Sequence, residues 1–394
     1  MPRDLDADAT DRSSERLLQR FLGSSAASSY VLVAAAAAAL VWANSLWAPG
    51  YERTWTTPLT LHVADVSIGP DLRFWISDGL MTLFFLLVGV EIDREVRSGE
   101  LGRPRVAALP AIAAVGGMVV PAVIYLAVVG DGAAARGWGV PMATDIALAV
   151  AALGLAAKHA APDVRPLLLT LAIVDDIGGI VVVTVFYAAG GSPLALIAAI
   201  AIVAAIVVAE RAHVTTPIVP IVGGVALWYA FLRAGIEPAI SGVVIGVLTP
   251  SAAIARAERV LLVASGFVIV PLFALANAGV RLDRSTLLVG AAGAVTVGVV
   301  VARLVGKPLG VVGAARLGVA TAIATLPAGG SWRSILGLGV TTGLGFTVSL
   351  FIADLAFAGR PDLLDAAKVG IIASAVLAGA ASYVTFRVLA RRDR

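Results

Sequence analysis

Apolar stretches of about twenty residues recur along this chain from Ala26 to Leu389, and they leave few folds open to it. A run of that length without charge matches the thickness of a bilayer's hydrocarbon core as a helix. The chain is 59% hydrophobic and 14% charged, whereas a water-facing domain carries about 25% charged residues. A membrane β-barrel would need short segments alternating apolar and polar residues. Runs such as 31–41 and 201–209 do not alternate. The expected class is therefore an all-α polytopic membrane protein.

About twelve transmembrane spans are expected, near 26–46, 74–93, 106–129, 133–157, 166–189, 193–209, 215–232, 238–251, 260–280, 287–315, 334–357 and 366–390. Residues 1–25 hold four Arg and five Asp or Glu, too acidic and too long for a signal peptide, and read as a cytoplasmic tail. Residues 391–394 read as a cytoplasmic C-terminal end. With the N-terminus inside, 19 of the 29 Lys and Arg fall on the cytoplasmic side and 8 outside, Arg53, Arg73 and Lys368 among the latter. Excess Lys and Arg mark the cytoplasmic face. Both termini are thus expected inside, in a cell inner (plasma) membrane, and the basic balance needs no nucleic acid. The long outer segment 47–72 alternates partially over Leu59–Val66 and predicts a small hairpin. His62 reads there as an exposed loop residue. Cysteine is absent, which excludes disulfides, Fe–S clusters and thiolate zinc sites. No cofactor is implied.

Ionisable groups at bilayer depth cost roughly 2.5–3.5 kcal/mol each on insertion scales, so they mark function. Asp175 and Asp176 lie ten or more residues beyond Arg165, about 15 Å deep. No charge follows them through Ala189. Neighbours on a helix point about 100° apart, so one is expected to face an ion path and the other a packing partner. Asp145 follows Pro141 and Thr144, and the proline disfavours helix just before it. A break there frees backbone groups that protein, water or an ion must satisfy. Lys307 lies nine residues before Arg316, about 13 Å from that end, and needs an anion. Arg303 shares its face one turn earlier, and the sequence does not rank the two. Gly337, Gly339, Gly343 and Gly345 surround Thr341, Thr342 and Thr347 and predict a second broken span. The broken spans 4 and 11 sit in the middle of two three-span groups, about 106–189 and 287–390. Their offset of seven spans is odd, as inverted repeats require.

Six stretches carry a resemblance: 84–91 (FFLLVGVE), 143–147 (ATDIA), 172–178 (AIVDDIG), 272–279 (LFALANAG), 306–310 (GKPLG) and 343–347 (GLGFT). In this order they resemble the NhaA family of sodium/proton antiporters, from about residue 26 to the C-terminus. The resemblance implies an electrogenic exchanger of Na+ (or Li+) for H+, not an enzyme. Asp176 would be the main ion and proton carboxylate. Asp175 would alternate between Lys307 and the ion. Thr144 and Asp145 would lie at the crossing of the broken helices, with Asp145 and Lys307 balancing opposite helix ends. It also implies a homodimer joined through the outer hairpin, embedded in membrane lipid, and a role in pH and sodium homeostasis. Glu91, Arg94, Glu95 and Glu258 match positions linked to pH response. The chain departs from well-known members at Glu237, where they carry His, and its own His62, His159 and His213 all lie in loops. Alternatives are a cation channel, an antiporter for another monovalent cation, and an intramembrane aspartyl protease using Asp145 with Asp176. A channel usually builds its filter from repeated subunits, which one asymmetric acid pair does not suggest. No Gly-x-Gly-Asp stretch supports the protease.

Overall fold

A computed structural model describes residues 27–63, 66–97, 99, 101, 104–156, 164–188, 190–212, 216, 218–249, 251–282, 290–326 and 331–392. The tail over 1–25, His159 and His213 lie outside the described residues. The chain runs through α1 (Ala27–Ala43), α2 (Ala48–Trp55), strands β1 (Leu61–Val63) and β2 (Val66–Ile68), and α3 (Leu72–Arg97). Next come α4 (Pro104–Val129), a 3-10 helix (Ala133–Gly139), α5 (Ile146–Ala156), α6 (Val164–Phe186), α7 (Pro193–Arg211), α8 (Ile218–Ala234) and α9 (Ile240–Leu248). The remainder is α10 (251–277), α11 (Gly290–Ala320), α12 (Trp332–Thr341), α13 (Thr347–Ala356) and α14 (Pro361–Arg392).

The protein is an all-α polytopic membrane protein. Among the described residues, helices lie within the stretches expected to span. Seven helices among the described residues are long and apolar enough to cross a bilayer, or eight if α1 and α2, bent by 118°, form one span. The outward faces are apolar. Leu194, Ile197, Ile200 and Val208 on α7 are all exposed, a surface suited to lipid and not to water. Local signals start the elements. Ser192 accepts from Ala195 N and precedes Pro193, which fits the first turn of α7. Asp71 caps α3 by accepting from Phe74 N at 2.9 Å. The outer hairpin pairs Leu61 with Ile68 and His62 with Ser67, and His62 Nδ1 meets Ser67 Oγ at 2.9 Å.

Lipid tails are as apolar as leucine, so helices in a bilayer associate by close fit. Glycines supply that fit here. α4 packs along α11 and α3 along α9. A Cβ on Gly310 would overlap the Gly116 carbonyl, and one on Gly242 would overlap the Thr82 carbonyl. The first contact brings α11 so near α4 that Lys307 is fully buried. Residues Ala302–Gly306 form a π-helical turn just before it, the kind of bulge that recurs at functional sites.

Candidate functional site

Both expected breaks have a definite shape. The 3-10 helix ends at Gly139, the chain turns through Val140–Met142, and 143–145 run without regular structure into α5. Likewise α12 ends at Thr341 and 344–346 run without regular structure into α13. The two non-helical segments meet, and Asp145 N donates to Leu344 O at 2.7 Å. Only glycine fits at 345, where a Cβ would overlap the Ala143 carbonyl. That close approach explains the glycine-rich sequence of span 11 better than flexibility does.

Asp145 caps two helices at once. Its Oδ1 accepts from Leu148 N at 3.0 Å, in the first turn of α5. Its Oδ2 accepts from Thr347 N at 3.3 Å and Thr347 Oγ1 at 2.9 Å, at the start of α13. A carboxylate is favoured there because helix N-termini carry unpaired N–H groups and partial positive charge.

Asp175 and Asp176 lie on α6 and are 1% and 6% exposed. Asp175 Oδ2 forms an ion pair with Lys307 Nζ and accepts from Thr144 Oγ1. Lys307 Nζ also donates to Thr144 Oγ1 at 3.0 Å. Thr144 Oγ1 lies 3.0 Å from the Thr342 carbonyl as well, so its one proton has two acceptors to choose between. Asp175 Oδ1 and Asp176 Oδ1 are both buried and without hydrogen-bond partners. Buried carboxylate oxygens are costly unless paired. Unpartnered carboxylate oxygens suit a hard cation that binds through oxygen, or a proton. Among the described residues no cluster of three or more acids, His or Cys is poised to hold a resident metal.

The pH-response candidates gather at the far end of α3. Arg94 Nη2 bridges to Glu258 Oε1 on α10 at 2.6 Å, and Glu95 Oε1 accepts from Leu101 N at 3.4 Å. Glu91 lies one turn inward on α3, within electrostatic reach of Asp176.

The partners of three residues are not legible in the sequence. Arg303 is fully buried, donating to the Gly345 carbonyl, to the Val140 carbonyl at 3.1 Å and to Ser349 Oγ. Lys368, counted among the outer cations, is buried on α14 with its Nζ 3.6 Å from Asp354 Oδ1. Glu237, between α8 and α9, lies within hydrogen-bonding reach of Asp78, and burial pushes its carboxyl up to about 7, against the Ala239 N–H and Asp78, which pull it down.

Residues 19–386 match the family described as Na+/H+ antiporter 1. The Na(+)/H(+) antiporter NhaA 2 of Sorangium cellulosum (strain So ce56) is 40% identical, over 95% of this chain and 90% of its own length. The Na(+)/H(+) antiporter NhaA of Acidovorax sp. (strain JS42) is 42% identical over 92% of this chain and 89% of its own. That of Janthinobacterium sp. (strain Marseille) is 39% identical over 92% and 90%. With both helix breaks and the acid pair inside the matched region, this chain belongs to the Na+/H+ antiporter 1 family, a family of transporters and not of enzymes.

Proposed function

We propose that this protein is an electrogenic sodium (or lithium)/proton antiporter that exports Na+ in exchange for H+ by alternating access at Asp175 and Asp176. The observation that carries this reading is two buried carboxylates at consecutive positions of α6, each with an unpartnered oxygen (Asp175 Oδ1 and Asp176 Oδ1), one of them paired through its other oxygen with the Lys307 ammonium. The printed names of the relatives support sodium and protons as the exchanged ions. Sodium and protons compete for the same carboxylates. Carboxylates occupied by sodium or protons cross the low-dielectric barrier more easily than bare ones. When Na+ enters, Asp175 exchanges the Lys307 ammonium for the ion, and Thr144 stays within reach of either arrangement. Rocking of the three-span groups 106–189 and 287–390 against the rest exposes the site to each side in turn.

In this reading the protein sits in the cell inner membrane with both termini cytoplasmic, and it contributes to pH and sodium homeostasis. The cluster of Glu91, Arg94, Glu95 and Glu258 tunes its pH response. Two copies pair through the outer hairpin. The test is Asp176→Asn in everted membrane vesicles. Sodium-driven proton movement should vanish while the variant still elutes as folded protein from size exclusion. Normal exchange by that variant would overturn the assignment. Running the wild type with Na+, Li+ and K+ in turn defines the ion.

A further inference from the structure

Two fully buried cations stand four residues apart at the crossing, and the exchange cycle needs only Lys307. Among the described residues Arg303 forms no ion pair with a carboxylate, and Asp145 and Asp175 lie only within electrostatic reach of it. Its partners are two carbonyls and one hydroxyl, those of Gly345, Val140 and Ser349, and its Nε has none. A guanidinium at this depth is expensive unless the local field favours it. Its position supplies that field. Val140 caps the C-terminal end of the 3-10 helix Ala133–Gly139. Gly345 lies in the short segment that follows α12. Both carbonyls sit on the C-terminal side of the first half of a broken span, where helix carbonyls lack partners and partial negative charge collects. Asp145 is the mirror image, one carboxylate across the N-terminal ends of the second halves. We propose that Arg303 is the fixed cation that balances the negative helix ends of the crossing, so that Lys307 is left to serve Asp175 alone.

Residue type supports this. The planar fork of an arginine reaches acceptors on several chain segments at once, whereas an ammonium is a compact point charge. Arg303 joins the 140 turn, the 345 segment and the first turn of α13, three pieces that no backbone hydrogen bond could hold together with one residue. It is a positioning residue, setting the field and geometry in which the aspartates work.

The inference uses the exchange reading for one of its two readouts. In everted vesicles, Arg303→Met should move the pH of half-maximal sodium-driven proton movement up by about one unit, because losing a nearby positive charge makes the carboxylates hold protons more tightly. Arg303→Lys should restore the wild-type pH while lowering the maximal rate. A rate loss common to both variants, with the pH profile unmoved, would overturn the proposal in favour of a merely structural arginine. The second readout is thermal stability in detergent, which does not depend on transport. Arg303→Met should lower the midpoint further than the charge-neutral double variant Lys307→Met/Asp175→Asn. A double variant that fails to fold while Arg303→Met keeps the wild-type midpoint would overturn it too. Exchange by Asp176→Asn would sink the exchange reading and leave this stability order standing.

Discussion

Replacing Lys307 with methionine removes the ammonium while keeping most of the side chain's volume. The side chains of Lys307 and Asp175 are 1% and 0% exposed, so water cannot take the lost partner's place. Asp175 Oδ2 would keep only the Thr144 hydroxyl, and Oδ1 already lacks a partner. Removing one member of a buried ion pair costs about 3–5 kcal/mol, and the surviving charge-assisted hydrogen bond holds the figure near 3. Asp175→Asn strands the ammonium less severely, since Thr144 Oγ1 and the new amide oxygen both accept from it. That variant should lose about 2 kcal/mol. The double variant buries no charge and should lose only about 2 kcal/mol, giving a coupling energy near 3. Equilibrium unfolding in mixed micelles, followed by tryptophan fluorescence at fixed pH and sodium, measures all four corners of the cycle. Losses that simply add, so that the double variant falls by about 5 kcal/mol, would refute the view that an uncompensated buried charge is what each single variant suffers.

The glycine contact between α4 and α11 predicts that Gly310→Ala forces the helices apart, because the new methyl meets backbone at Gly116 that cannot rotate away. It should cost about 1–3 kcal/mol and depress exchange by shifting Lys307 against Asp175, seen as a lower unfolding midpoint with a lower maximal rate. Glu237 predicts a pH effect on stability. Its folded-state value is pushed from 4.5 up to about 7, so the native state holds a proton that the unfolded chain has released in that window. Stability should fall as pH rises through it, by at most about 3 kcal/mol. Glu237→Gln should flatten that slope in unfolding measurements between these pH values.

The sequence made the membrane class, the two breaks and the acid pair legible because each is a local property. Spans follow from the length of apolar runs. The span 4 break follows from Pro141, and the depth of Asp175 from counting residues to Arg165. What stayed hidden depends on who stands opposite. Arg303 and Lys307 share a helix face, and only the crossing decides that one meets carbonyls and the other a carboxylate. Lys368 lies two residues into its expected span and looks like an outer-end cation until Asp354 on α13 is placed beside it. The pairing of Glu237 with Asp78 joins residues 159 positions apart. α10 was expected from 260 but begins at 251. Its first turns are charged, and a helix has no reason to stop where the hydrocarbon does. That extension carries Glu258 to Arg94.

The charges at the crossing also account for electrogenic exchange in the proposed cycle. Three carboxylates, Asp145, Asp175 and Asp176, face two cations, Arg303 and Lys307. Fully ionised, the set carries one net negative charge. Asp145 and Arg303 are engaged at helix ends, and the proposed cycle runs without them. The variable part is therefore Asp175, Asp176 and Lys307. With Lys307 charged and a proton on Asp176, that part is neutral. With sodium on the aspartates and Lys307 having released its proton as Asp175 lets it go, it carries one negative charge. In that proposed cycle the two loaded forms differ by one charge, which is what an electrogenic exchange requires. A buried lysine can shed its proton readily where a guanidinium cannot. The division of labour between Arg303 and Lys307 thus separates the charge that must stay from the charge that must move.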